Sequence, residues 1–169
     1  PEDLKDYQLD RIESFLNPYH DPRGKGYNAI QSVIAIGSGG LIGKGVRLGT
    51  QSHLKYLPER HPDFIFASFA EEFGLLGIAL ALVAYFYLLS RLFEISSKMK
   101  EQEPRLLALG ILSVFMFQSL INIGMNLGIM PVTGITLPFF SYGGSSLLSF
   151  AALLGMSLRL LELTPTHRI

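Results

Sequence analysis

Hydrophobic and polar positions divide the chain into two unlike parts. From Pro1 to His61 the two kinds of residue are mixed, whereas from Phe64 onward apolar residues run in long blocks. Only Glu71 and Glu72 interrupt the block from Phe64 to Ser90, and no charged residue occurs between Arg105 and Arg159. A bilayer core takes about 20 apolar helical residues per crossing, so the blocks predict three spans, near 64–92, 106–130 and 145–163. The first would be roughly 40 Å long as a helix, enough to cross with tilt. Tyr85 and Tyr87 fall near its far end, where interfacial aromatics concentrate. The expected fold is all-α: a polytopic membrane helical bundle preceded by a large loop, residues 1–63, and closed by a tail at 164–169.

The loop carries weaker patterns. Leu4, Tyr7, Ile12, Phe15 and Leu16 lie near one face of a helix over residues 3–16, an amphipathic element that Asn17-Pro18 ends. Residues 27–36 repeat the helical spacing through Ala29, Ile30, Val33 and Ile34 but are too few to span a bilayer. GSGGLIGKGVRLG follows. A phosphate-cradle reading fails on spacing, because GxxxxGK[ST] meets Ser38 and Gly45 where it needs Gly and Ser/Thr, and GxGxxG meets Ile42. A sharp interfacial turn, or backbone flexibility near a ligand, accounts better for these glycines.

Charge adds orientation. The segment Arg91 to Arg105 holds Arg91, Lys98, Lys100 and Arg105, and the positive-inside rule makes it a cytoplasmic loop. Residues 1–63 are then outside, and the C-terminus is cytoplasmic. The formal net charge of zero excludes a general nucleic-acid binder, and the absence of cysteine excludes disulfides and thiolate sites. The N-terminus is charged, lacks an initiator Met and has no apolar signal core, so the chain reads as an excised piece starting inside a loop.

In the second span Gln118, Asn122 and Asn126 recur every four residues and form a polar stripe. Interhelical hydrogen bonding and cavity lining both fit it. Gly124 and Gly128 form a GxxxG pair that permits close helix approach. The link MPVTGITLPFFSYGGSS has two prolines and three glycines, so it is not regular helix, and irregular backbone at membrane depth must be buried in protein or line a wet cavity.

The candidate chemistry concentrates in Tyr56 to Gly77, where Glu59, Arg60, His61 and Asp63 run directly into the first span. The four histidines show no metal-ligand spacing, and there is no GxSxG elbow. Asp63, just after Pro62, reads at its plainest as a helix cap or first-turn acid. A cap does not account for Glu59, Arg60 and His61 beside it. Glu71 and Glu72 point about 100° apart, so at least one should turn into the protein and find a polar partner, in a structural or a functional role.

YLPERHPDFIFASFAEEFG, followed by GIMPVTGITLPFFSYGGSS, resembles the SEDS family (RodA/FtsW), the polymerases of bacterial cell-wall synthesis. FLNPYHDPRGKGYNAIQSVIAIGSGGLIGKG and GTQSHLKYLPERH resemble its RodA branch, which serves elongation. The likeness covers nearly the whole chain and implies the C-terminal part of a roughly ten-helix protein of the bacterial inner membrane. It implies a peptidoglycan glycosyltransferase that polymerises lipid II and works with a class B penicillin-binding protein. The family's essential acid falls on Asp63. The family pattern often has Thr where this chain has Pro62, which alters the approach of the loop without displacing the acid.

Asp63 is therefore expected to act as the base, or to bind a divalent cation, Mg or Mn. Arg60, Lys55 and Glu59, with Ser141 and Tyr142 of the link, are the candidates for holding the pyrophosphate. The competing readings are a lipid II flippase or transporter, which intramembrane carboxylates and a broken segment also suit, and a non-catalytic scaffold for the penicillin-binding protein.

Overall fold

The computed structural model describes residues 25–46, 48, 62–141 and 143–163, together with Phe15. The amphipathic segment 3–16 thus lies outside the described residues, apart from that one position. Among residues 25–163 that are described, four α-helices and one short 3-10 turn follow in order: α1 (Lys25–Ser38), the turn Pro62–Phe64, α2 (Ile65–Lys98), α3 (Gln102–Asn126) and α4 (Gly144–Leu163). No strand occurs among the described residues. α2 and α3 are long and apolar enough to cross a membrane, and α4 is a shorter apolar helix.

Aromatic and aliphatic side chains knit the last three helices together. Leu92, Ile111, Leu112, Phe115 and Phe150 form the buried centre, with Tyr85, Leu89, Phe139 and Leu153 packed around it. Phe115 stacks on Phe139 at 5.5 Å between ring centroids and meets Phe150 at 5.4 Å. Phe139 reaches this position from the 127–143 link with φ of 64°, a left-handed conformation that costs a bulky residue on the order of 1–2 kcal/mol. Three-ring packing offsets that cost.

Several expectations change in detail. The segment Arg91 to Arg105 is mostly helix, with only Met99–Glu101 outside it. Its charges sit at the facing ends of α2 and α3, where Arg91 and Lys98 both pair with Glu94. Tyr85 is not an interfacial anchor. Its hydroxyl accepts from Ser119 at 2.6 Å and donates to the Phe115 carbonyl at 3.3 Å, so it joins α2 to α3, while Tyr87 is exposed. In α1, Val33 and Ile34 are exposed, and the buried face is Ser32 and Ala35. Lipid is as apolar as a core, so small residues rather than large ones mark close packing in a membrane protein.

The GxxxG pair also works differently from a helix seam. Gly128 (φ 71°) ends α3: its N–H donates to the Met125 carbonyl and that of Ile129 donates to Gly124, the two bonds of a Schellman cap. A Cβ on Gly124 would meet the Met130 side chain at 2.9 Å, and one on Gly128 would meet Val33 of α1 at 3.2 Å. Gly128→Ala is expected to destabilise the protein by about 1 kcal/mol through the left-handed backbone alone. Gly110→Ala, in mid-helix with open space around it, is expected to stabilise by about 0.5–1 kcal/mol. Thermal unfolding of both in detergent reads the contrast.

Candidate functional site

α2 is not one helix. Gly74 (φ 64°, ψ −166°) is non-helical inside it and divides it into residues 65–73 and 75–98. The second piece is by itself about 36 Å long, enough to cross a bilayer core of about 30 Å. A break here cancels the helical bonds from the N–H groups of Leu75 and Leu76 to the carbonyls of Glu71 and Glu72. The glycine-rich loop after α1 replaces both. Leu75 and Leu76 donate to Gly40 and Leu41 at 2.9 and 3.1 Å, and Lys44 and Gly45 donate to Glu71 and Glu72 at 3.0 Å each. All four backbone groups released by the break thus find new partners.

Backbone must touch backbone for the exchange to work, which explains the glycines. A Cβ on Gly39 would lie 2.2 Å from the Ala70 carbonyl oxygen, one on Gly43 2.2 Å from that of Glu72, and one on Gly74 2.3 Å from the Gly43 nitrogen. They serve close approach to a broken helix. The same docking gives Glu71 its partner: its carboxylate is fully buried and takes the Lys44 ammonium at 2.8 Å, with Lys44 also donating to Ser38 Oγ at 2.8 Å. Sequence reasoning foresaw a partner for one of the two glutamates but did not choose Lys44. The available signal was that Lys44 is the one cation in residues 26–46. Glu72 is half-buried.

Asp63 occupies the 3-10 turn immediately before α2. The cap position of α2 is Phe64, with no side-chain cap bond, so Asp63 does not cap it. Pro62 opens the turn, where a missing N–H is harmless. The Asp63 backbone is held from above and below. Its carbonyl accepts from Asn122 Nδ2 and Asn126 Nδ2, both at 3.0 Å. Its neighbour Phe64 is buried with Ala35 and Ala67, and Val132 of the link packs against them. The side chain is half-buried, and its Oδ2 lies 3.7 Å from where a Cβ on Gly134 would stand. Gly134 (φ 79°) thus leaves the carboxylate room beside the link.

Two of the three residues of the predicted stripe turn inward. Asn122 and Asn126 are fully buried, whereas Gln118 is half-buried and shares none of the bonds at Asp63. Ser141 is 4% exposed, and its Oγ accepts the Leu137 N–H at 2.8 Å, which makes it a staple of the 137–141 turn. Lys55, Glu59, Arg60 and Tyr142 lie outside the described residues, as do His53 and His61. Phe66, Phe69, Tyr85, Ile123, Leu137 and Phe140 line much of a small apolar crevice between α2, α3 and the link.

A divalent cation would find Asp63 as its ligand here. No group of three or more His, Cys, Asp or Glu side chains gathers among the described residues. That donor set does not make an all-protein cage, but it suits Mg, which keeps several waters and takes one or two carboxylates together with substrate phosphates.

These features define a class: an all-α polytopic membrane protein with a half-buried carboxylate in the turn just ahead of its first long apolar helix. The chain belongs to the FtsW/RodA/SpoVE family of cell cycle proteins, whose family model matches residues 3–164. It is 47% identical over 165 residues to the peptidoglycan glycosyltransferase MrdB of Escherichia coli K12, covering 98% of this chain and 44% of that protein. It is 45% identical to the peptidoglycan glycosyltransferase RodA of Treponema pallidum, over 85% of this chain and 33% of the relative. A probable FtsW of Synechocystis is 46% identical over 92% and 39%.

Among solved structures, one described as showing how a peptidoglycan synthase complex coordinates polymerization and crosslinking matches with a TM-score of 0.74 and 42% identity, over 95% of this chain and 43% of that one. An aspartate-to-alanine mutant of the rod shape determining protein RodA of Thermus thermophilus matches with a TM-score of 0.62 and 39% identity, over 75% and 39%. The chain spans less than half the length of the curated relatives it matches.

Proposed function

We propose that this chain supplies the catalytic acid of a peptidoglycan glycosyltransferase, and that the whole protein polymerises lipid II into glycan strands during elongation. The observation that carries the reading is the arrangement at Asp63. Its backbone is clamped by two buried amides, and its carboxylate makes no hydrogen bond or ion pair among the described residues. A general base needs that combination of fixed position and open lone pairs.

Asp63 takes the proton from the acceptor sugar hydroxyl as that oxygen bonds to the anomeric carbon of the donor. The bond from that carbon to the lipid pyrophosphate breaks, and the pyrophosphate leaves with the electron pair. A divalent cation, Mg or Mn, supplies neutralising charge for the departing pyrophosphate when bound. Arg60 and Lys55, with Glu59 and Tyr142, remain the proposed pyrophosphate-side residues, whereas Ser141 is buried and serves the 137–141 turn.

The proposed setting is the bacterial inner membrane, with residues 1–63 outside and the C-terminus in the cytoplasm. A class B penicillin-binding protein that crosslinks the product is the proposed partner. The solved peptidoglycan synthase complex, which joins polymerization to crosslinking, supports that pairing.

The test is polymer formation by the purified full-length protein from lipid II in detergent, where no compartments exist. A ladder of glycan products is expected. Lipid II translocation in vesicles without any polymer in detergent would instead mark a flippase. Polymer made only by the partner, and unchanged when this protein is replaced by an inactive variant that still binds, would mark a scaffold.

A further inference from the structure

Two asparagines buried in a membrane helix are costly unless every polar atom is matched, and asparagine is also a weak helix former. Asn122 and Asn126 meet the requirement completely on the donor side. Asn122 Nδ2 donates to the carbonyls of Asp63 (3.0 Å) and Ile135 (2.7 Å). Asn126 Nδ2 donates to the same Asp63 carbonyl (3.0 Å) and to the Asn122 carbonyl (2.8 Å). Each amide has two N–H groups, so none is spare. Ser32 of α1 locks the second amide from behind, with its hydroxyl 2.8 Å from the Asn126 carbonyl and 3.2 Å from Oδ1.

The target of these bonds is informative. Helix association alone needs amides that reach another helix, yet both reach one carbonyl, that of the acid itself. Holding this oxygen fixes the peptide plane between Asp63 and Phe64 and hence the direction in which the carboxylate leaves the backbone. Through Ile135, Asn122 also fixes the link one residue from Gly134, which borders the carboxylate. Depth and clearance of Asp63 are therefore set by the same pair.

We infer that Asn122 and Asn126, with Ser32 behind them, are positioning residues that orient Asp63 for glycosyl transfer. The inference rests on the proposed role of Asp63. Misplacing a reacting group by about 1 Å costs on the order of 100-fold in rate, so Asn126→Asp and Asn122→Asp, which keep the shape but remove the donors, are expected to lower kcat about 10- to 100-fold. KM for lipid II should stay within about twofold, because Asp63 acts on the bound substrate rather than holding it.

The experiment uses the full-length protein and a double-mutant cycle with Asp63→Asn. Residues acting through Asp63 should add nothing to its loss, whereas a purely structural role makes the losses multiply. Multiplying losses, or asparagine variants with unchanged kcat while Asp63→Asn is inactive, overturn the inference and leave the catalytic acid intact. An active Asp63→Asn removes Asp63 from the mechanism, and the inference with it. If neither asparagine variant folds, Ser32→Ala decides: it loosens Asn126 without burying a new charge. A fall in kcat of about 3- to 10-fold at unchanged thermal stability supports the inference, and unchanged kcat rejects it.

Discussion

Asp63→Asn and Asp63→Ala in the full-length protein are expected to lower lipid II polymerisation by about 100- to 10,000-fold, the span typical of a lost general base. Folding should hardly change. The bonds that secure this turn go to the Asp63 carbonyl, and the side chain makes none among the described residues, so both substitutions leave the clamp in place. Thermal stability within about 1 kcal/mol of the parent is the expected control. The separation of the two readouts makes the test sharp, since most inactivating changes in a membrane bundle act by unfolding it. Activity within a few-fold of the parent at normal expression would remove Asp63 from the mechanism.

The second large effect is expected at Gly74. Its φ and ψ lie in a region that only glycine enters readily, and an added Cβ would stand 2.3 Å from the Gly43 nitrogen and 2.7 Å from the Ile42 carbonyl carbon. None of these atoms belongs to a flexible side chain that could turn away. Gly74→Ala should therefore force the loop off α2 and let Leu75 and Leu76 bond to Glu71 and Glu72 as in an ordinary helix. That regains two helical bonds and loses four inter-segment ones, together with the Lys44–Glu71 pair.

Separating a buried carboxylate from its cation commonly costs about 3–5 kcal/mol, so a net loss on the order of 3 kcal/mol is expected. Limited trypsinolysis reads the event directly. Cleavage after Lys44 should rise by at least about tenfold, tracking the population of the opened loop. Parent-like protection of Lys44 in a folded Gly74→Ala protein would show that the break in α2 does not depend on that glycine.

Much of the architecture is legible from hydropathy, because the choice between water and lipid acts on each segment separately. The apolar blocks after Phe64 contain most of α2, α3 and α4, although α2 runs on to Lys98 and α3 covers Gln102–Asn126 rather than 106–130. The motif around Asp63 was sufficient to propose it as the site. The glycines were ambiguous for a definite reason. A Gly-rich segment in isolation permits a turn, a phosphate cradle or a close approach, and only the neighbour distinguishes them. For GSGGLIGKG that neighbour is the break in α2, some thirty residues further along the chain. Gly128 lies close to Val33 of α1, as close helix approach requires, but spacing alone did not show that it also ends α3.

By itself the sequence determined that this is an all-α membrane protein of the FtsW/RodA/SpoVE family with an acid just ahead of its first long apolar block. Those properties follow from local composition and from a contiguous motif. The tertiary structure decided that α2 is broken, that Lys44 neutralises Glu71, and that Asn122 and Asn126 both hold the Asp63 carbonyl. Each of these is a pairing between segments 27 to 63 residues apart. Polar groups inside a membrane must satisfy one another wherever the fold brings them together, and periodicity along the chain records which face they occupy but not which atom they meet.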